Sequence, residues 1–135
     1  MRVEICRGPI CADAMSALCR SVGWPEPDPT LFRKAIEGSI GCVHAMLGDQ
    51  VVGFGRLVGD RSWYIYVQDL VVHGDHHRSG IGERLLEELH DLVRALPQSR
   101  RTVLLIADES VVGFYLNAGY ESAGQRNVLM RKKLA

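Results

Sequence analysis

The sequence carries no net charge: 16 Lys and Arg are balanced by 16 Asp and Glu over 135 residues. A balanced chain has no built-in attraction to nucleic acid or to an anionic membrane surface, so neither is expected as a partner. No apolar run approaches the roughly 18 residues of a membrane span. The opening MRVEICRGPICADAM has no apolar segment behind a basic one, which predicts no signal peptide. Four cysteines, Cys6, Cys11, Cys19 and Cys42, show no CxxC spacing. That removes the usual zinc and dithiol readings and predicts reduced thiols in a cytoplasmic protein. Neither GxxxxGK[ST] nor GxGxxG occurs, which excludes the P-loop and the dinucleotide fingerprint. Repeats, low-complexity tracts and linkers are also missing, so one domain over residues 1–135 is expected.

What is present reads as an ordinary globular chain, 47% apolar and 24% charged. Residues 2–7 alternate like a strand. Residues 9–23 have apolar positions at helical spacing and Gly23 as a stop, and WPEPDPT then holds three prolines. Thr30 or Asp28 can cap the next short helix. CVHAML, VVGFGRLV and WYIYVQDLVV, separated by GDQ and GDRS, read as an antiparallel meander. A helix from Ile81 follows, with Ile81, Leu85, Leu89, Leu92, Val93 and Leu96 on one stripe and Pro97 at its end. RTVLLIA reads as a buried central strand, residues 110–119 as a short helix, and residues 120–134 as a terminal hairpin. The order predicts a mixed α/β domain, helices packed on a largely antiparallel sheet.

The junction VVHGDHHRSGIGERLLEEL is the most informative stretch. A strand ends at Val72, a polar loop with two glycines follows, and a helix starts near Gly80 or Ile81. The first amides of a helix have no internal acceptor and sit at its positive end, so the junction can bind an anion or be a plain structural turn. Arg78 and Arg84 can add charge.

This junction resembles the pyrophosphate-binding motif of the GNAT superfamily of N-acetyltransferases, Arg/Gln-x-x-Gly-x-Gly/Ala after a strand. Downstream, VVGFYLNAGYES is similar to that family's FYxxxGF segment, and NVLMRKKL to its closing strand. The resemblance covers nearly the whole chain. It implies an α/β (α+β) fold of GNAT type, a largely antiparallel sheet of about seven strands flanked by about four helices. It also implies acetyl-CoA as co-substrate, no metal, and transfer of an acetyl group to a primary amine. Coenzyme contacts would fall to His77, Arg78, Ser79, Gly80, Ile81 and Gly82, with backbone from Leu70, Val71 and Val72 ahead of them. Two positions depart from the pattern: His77 replaces Arg or Gln, and Asp108 replaces an Asn that touches the pantetheine arm. An ionised Asp accepts hydrogen bonds but donates none.

By the same resemblance, Tyr115 is expected to protonate the coenzyme sulfur; the competing reading is a core tyrosine beside Phe114. Asp69, an acid within the apolar run YVQDLVV, is either a general base or a carboxylate paired with Arg56. Regular alternation would put Gln68 on the opposite face from Asp69. His73, His76 and His77 lack a fourth metal ligand. Trp24 offers an aromatic face to the acceptor, with Glu26 and Asp28 as acids that can attract a cation. Tyr64 and Tyr66, on one face of the strand, can line the same cleft. A small amine, with a homodimer as the implied assembly, is the leading expectation. The alternatives are a non-catalytic acyl-CoA-binding sensor or interaction module, or an acetyltransferase acting on peptide or protein amino groups.

Overall fold

A computed structural model describes residues 2–124 and 128–134. The chain divides into two compact units, Met1–Leu105 and Ile106–Ala135. In the first unit, β1 (Val3–Arg7), β2 (Gly41–Leu47), β3 (Gln50–Gly59) and β4 (Ile65–Val72) form an antiparallel sheet in sequence order. α1 (Ala12–Val22) and α2 (Pro29–Glu37) join β1 to β2, and α3 (Ile81–Arg94) follows β4. The second unit contains α4 (Val112–Asn117), preceded by the 3-10 turn Glu109–Val111.

Alternation along β3 assigns the two sheet faces. Phe54 packs with Ala12, Met15, Leu18, Cys19, Phe32, Cys42 and Val71, so this face is covered by α1 and α2. Phe54 meets Phe32 edge-on at 6.1 Å between ring centroids. The odd-numbered neighbours of Phe54 face α3: a side-chain carbon at Gly55 would stand 3.0 Å from Leu89 Cδ1 and 3.0 Å from Leu70 Cδ1. α3 buries Ile81, Leu85, Leu86, Leu89 and Val93 against the sheet. Each large side chain so buried contributes about 1.5–3 kcal/mol. The expected stripe was right except that Leu86 is buried and Leu92 and Leu96 are only half-buried.

Asp28 caps α2, its carboxylate accepting from the Leu31 amide at 2.9 Å, and Pro29 opens the helix. β4 starts at Ile65 rather than at Trp63. The Asp60 carboxylate accepts from the amides of Ser62, Trp63 and Tyr64 at 3.0, 2.7 and 2.9 Å, and those donors are lost to the ladder.

The sheet has four strands among the described residues, against the seven or so expected. RTVLLIA contributes one parallel bridge, Leu104 to Tyr66, held by Val67 N–H to Leu104 O and Leu104 N–H to Ile65 O, both 2.9 Å. An apolar run can lie beside a strand without forming a ladder, because strand identity needs paired neighbours and not hydrophobicity alone. The expected terminal hairpin falls partly on residues 125–127, outside the described residues; residues 120–124 and 128–134 carry no strand.

Candidate active site

β4 is not regular. Arg56 pairs with Gln68, and Phe54 pairs with Val71, so two steps on β3 match three on β4. The extra residue forms a β-bulge, where Asp69 adopts φ 56. One inserted residue exchanges the faces of everything beyond it. Before the bulge Val67 lies on the α3 side, opposite Leu57; after it Leu70 faces α3 and Val71 joins the α1 and α2 side. The expectation that Gln68 and Asp69 point to opposite faces is therefore corrected. Gln68 is the register partner of Arg56, and the Asp69 carboxylate reaches Arg56 as well, Nε donating to Oδ2 at 2.6 Å.

Arg56 has a second bond, from Nη1 to Ser39 Oγ at 3.2 Å, and the Ser39 hydroxyl donates to Ala35 O at 2.8 Å. Ser39 gave no signal in the sequence, since a lone serine after a helix is ordinary; its burial is what marks it. Cys42 and Cys19 lie on the same face. Burial pushes the Cys42 thiol up, which its hydrogen bond with Ser39 and the charge of Arg56 only partly offset. Burial, then the negative charges of Asp69 and Glu26, push Cys19 up as well. Both thiols stay protonated at neutral pH and are poor nucleophiles.

Beyond Val72 the chain enters a 3-10 turn, Gly74–His76, docked on α1: the Gly74 amide donates to Ser21 Oγ at 3.1 Å, and that hydroxyl donates to Leu18 O at 2.7 Å. His73 Nδ1 accepts from the Asp75 amide at 3.1 Å. His77 turns back, its Nε2 2.8 Å from the Val72 carbonyl; a carbonyl only accepts, so the ring donates. Ser79 Oγ donates to His76 O. Arg78 and Gly80 both take left-handed conformations, φ 62 and φ 82. Gly80 is the residue before α3, where open space surrounds the position a Cβ would take, and no side chain caps the helix. The first intrahelical bond runs from Arg84 N–H to Gly80 O, which leaves the Ile81, Gly82 and Glu83 amides ahead of it. Arg84 itself binds Val3 O at 3.1 Å. Among the described residues no group of three His, Cys, Asp or Glu is assembled that could hold a metal ion, and no helix is long and apolar enough to cross a membrane.

Trp24 follows Gly23, the residue that caps α1, and is 43% exposed. Its neighbours in the loop are already engaged: Glu26 pairs with Arg20 at 2.7 Å, and Asp28 caps α2. Tyr66 is the second residue of β4, opposite Val58. Tyr64 stands outside the strand beside Trp63, both rings under the Arg100 guanidinium. Tyr64 stands eight steps before Val72 along the chain, up to roughly 26 Å if extended. The structure thus brings Trp24 and the loop after β4 to the same C-terminal end of α1, and does not bring Tyr64 there.

Within the second unit, Asp108 caps the 3-10 turn. Its carboxylate accepts from Ser110 Oγ at 2.5 Å and from the Ser110 amide at 3.0 Å, and these bonds hold it below the usual carboxylate range. Tyr115 on α4 stacks edge-on with Phe114 and Tyr120 at 5.0 and 5.6 Å. Burial pushes the Tyr115 phenol up. Burial and the Tyr115 charge push Tyr120 up to about 12.

Residues 26–130 match the acetyltransferase (GNAT) domain family. An uncharacterized N-acetyltransferase of Gracilaria tenuistipitata var. liui is 29% identical over 111 residues, which cover 78% of this chain and 59% of that protein. The chain spans about half the length of the relatives it matches in this way. A GNAT family acetyltransferase from Streptococcus pneumoniae TIGR4 superposes with a TM-score of 0.80 at 28% identity, covering 99% of this chain and 98% of that one. A probable acetyltransferase from meticillin-resistant Staphylococcus aureus gives 0.88 at 18% identity, over 98% and 100% of the two chains, a likeness of fold.

Proposed function

This chain belongs to the GNAT acetyltransferase family, and from that premise we propose that it is an acetyl-CoA-dependent N-acetyltransferase acting on a small primary amine by direct transfer. The observation that carries this reading is the uncapped start of α3. Three amides, the open backbone at Gly80 and the exposed Arg78 form a donor set that fits a diphosphate. His77 fits a different task from the Arg or Gln of the motif. Its ring braces the loop through Val72 O, so coenzyme contacts from this loop fall to main-chain N–H groups, that of Ser79 among them, and to Arg78.

When bound, acetyl-CoA supplies the activated acetyl group as co-substrate. The chain does the rest. Backbone N–H groups of Leu70 to Val72, next to the bulge, orient the acetyl carbonyl and stabilise charge developing on its oxygen. Asp69 accepts a proton from the attacking amine, directly or through water. Tyr115, a phenol protonated at neutral pH whose hold on its proton burial strengthens, gives a proton to the departing sulfur. Trp24 and Tyr66 border the acceptor; Tyr64, turned toward Arg100 and away from the loop after β4, has no part in that surface. Asp108 acts on the coenzyme arm only as an acceptor. The four free thiols suit a reducing compartment and a cytoplasmic location, and a homodimer is the assembly we expect.

Calorimetry with acetyl-CoA, followed by thiol release with a panel of small amines, aminoglycosides and short peptides, tests the proposal. Saturable binding, turnover with a small amine and a fall of about 10²-fold in kcat for Tyr115→Phe are expected. Absence of binding heat would end the reading. Binding without turnover on any amine would assign a coenzyme-binding module instead.

A further inference from the structure

We infer that Arg56 is a positioning residue for the transfer reaction: it holds the Asp69 carboxylate in one orientation and ties it to the end of α2. This rests on the reading of Asp69 as the base.

The bulge alone does not fix Asp69. It turns the side chain out of the α3 face, but the carboxylate remains on a flexible bond and 36% exposed. Arg56 supplies the constraint. Its side chain is only 16% exposed, and two of its three guanidinium nitrogens serve two partners: Nε holds Asp69 Oδ2, and Nη1 holds Ser39 Oγ. Ser39 is in turn anchored to Ala35 O, near the C-terminus of α2, and is the one buried polar residue among those described. The planar guanidinium converts these bonds into a fixed bearing for the carboxylate. Asp69 Oδ1 takes no hydrogen bond from the described residues and stays available for a proton. The arrangement joins three segments distant in sequence: the end of α2, the middle of β3 and the bulge in β4.

A purely structural role makes a different demand. Neutralising a half-buried carboxylate requires a positive charge in the right place and nothing about direction. Lysine meets that demand, but its single nitrogen cannot stand both where Nε meets Asp69 and where Nη1 meets Ser39. Arg56→Lys therefore separates the two roles, and Ser39→Ala does so more gently, since it keeps the ion pair and removes only the anchor.

The experiment measures kcat and KM for acetyl-CoA and for the best acceptor of the panel, with thermal midpoints, in Arg56→Lys, Arg56→Ala, Ser39→Ala, Asp69→Asn and the Arg56→Lys/Asp69→Asn double variant. Misplaced catalytic groups cost up to about 10²-fold, so Arg56→Lys should lose about 10- to 100-fold in kcat with KM for acetyl-CoA unchanged and a near-native midpoint. Ser39→Ala should lose several-fold, about an order less. Millimolar guanidinium should restore part of the Arg56→Ala loss, and the double variant should be no slower than Asp69→Asn alone. Wild-type kcat in both Arg56→Lys and Ser39→Ala, alongside a collapsed Asp69→Asn, overturns the inference and leaves Asp69 as base. Wild-type kcat in Asp69→Asn removes the base itself.

Discussion

Gly74→Ala is expected to loosen the loop after β4 from α1 and to weaken acetyl-CoA binding in the same step. A Cβ at Gly74 would lie 2.6 Å from the Ser21 carbonyl oxygen, inside the 3.0 Å that real Cβ atoms essentially never breach. The obstacle is main chain at the end of a helix, not the tip of a flexible side chain, so it cannot swing aside. Gly74 does not occupy the left-handed region, and the cost is therefore steric rather than conformational. The loop must back away by about 0.4 Å or more, the difference between those two distances. That movement strains the Gly74 N–H bond to Ser21 Oγ, which is 3.1 Å long.

Overpacking of this kind costs about 1–3 kcal/mol, and loss of one hydrogen bond about 0.5–1.5 kcal/mol, so a total of about 2–4 kcal/mol is expected. For a chain of this size that is a fall of roughly 6–12 °C in thermal midpoint. The same loop leads into the open amides of α3, so calorimetry should show weaker acetyl-CoA binding than in the native protein. Ser21→Ala is the control: it deletes the hydrogen bond without the clash and should cost only the smaller share. A Gly74→Ala protein that unfolds within about 2 °C of the native one and binds acetyl-CoA equally well would refute both the contact and its link to the loop.

At Gly113, near the start of α4, an added Cβ meets nothing within 4 Å, so Gly113→Ala should stabilise by about 0.4–1 kcal/mol, read as a higher thermal midpoint. Burial raises the phenols of Tyr115 and Tyr120, the latter to about 12. An unfolded tyrosine ionises near ~10, so the folded state keeps these protons longer; their contribution to stability is whole below that value and is lost as pH climbs toward about 12. Phenolate absorbance, with Tyr115→Phe and Tyr120→Phe as references, should show both groups ionising late and together with unfolding; ionisation at ordinary tyrosine pH in the folded protein would contradict their burial.

The elements carried by strong periodicity or by punctuation could be read directly from the chain. The α3 stripe, the Asp28 cap and the stop at Gly23 each rest on interactions within a few residues, so local sequence suffices to specify them. β4 starts two residues later than the run WYIY suggests, because Asp60 withdraws the Trp63 and Tyr64 amides into its own turn. A β-run of WYIY type does not reveal that competition. RTVLLIA has the composition of a central strand, yet its pairing depends on what lies on either side of it, and composition does not encode neighbours.

The site shows the same division more sharply. The loop from His73 to Gly82 announces itself through glycines before an amphipathic helix, because an anion site at a helix start is built from consecutive residues. The bulge has no such announcement. Aspartate is among the few residues other than glycine that tolerate the left-handed region, and it is also the natural candidate for a base. One residue at position 69 therefore satisfies two requirements, and the chemical one conceals the backbone one. Read as chemistry alone, Asp69 sits on a regular strand and faces α3. Read with its backbone, it turns to Arg56, and the face of every later residue in β4 changes with it. Neither Arg56 nor Ser39 adjoins Asp69 in sequence, so the partners that decide its orientation become visible only when β3 and α2 are folded against β4.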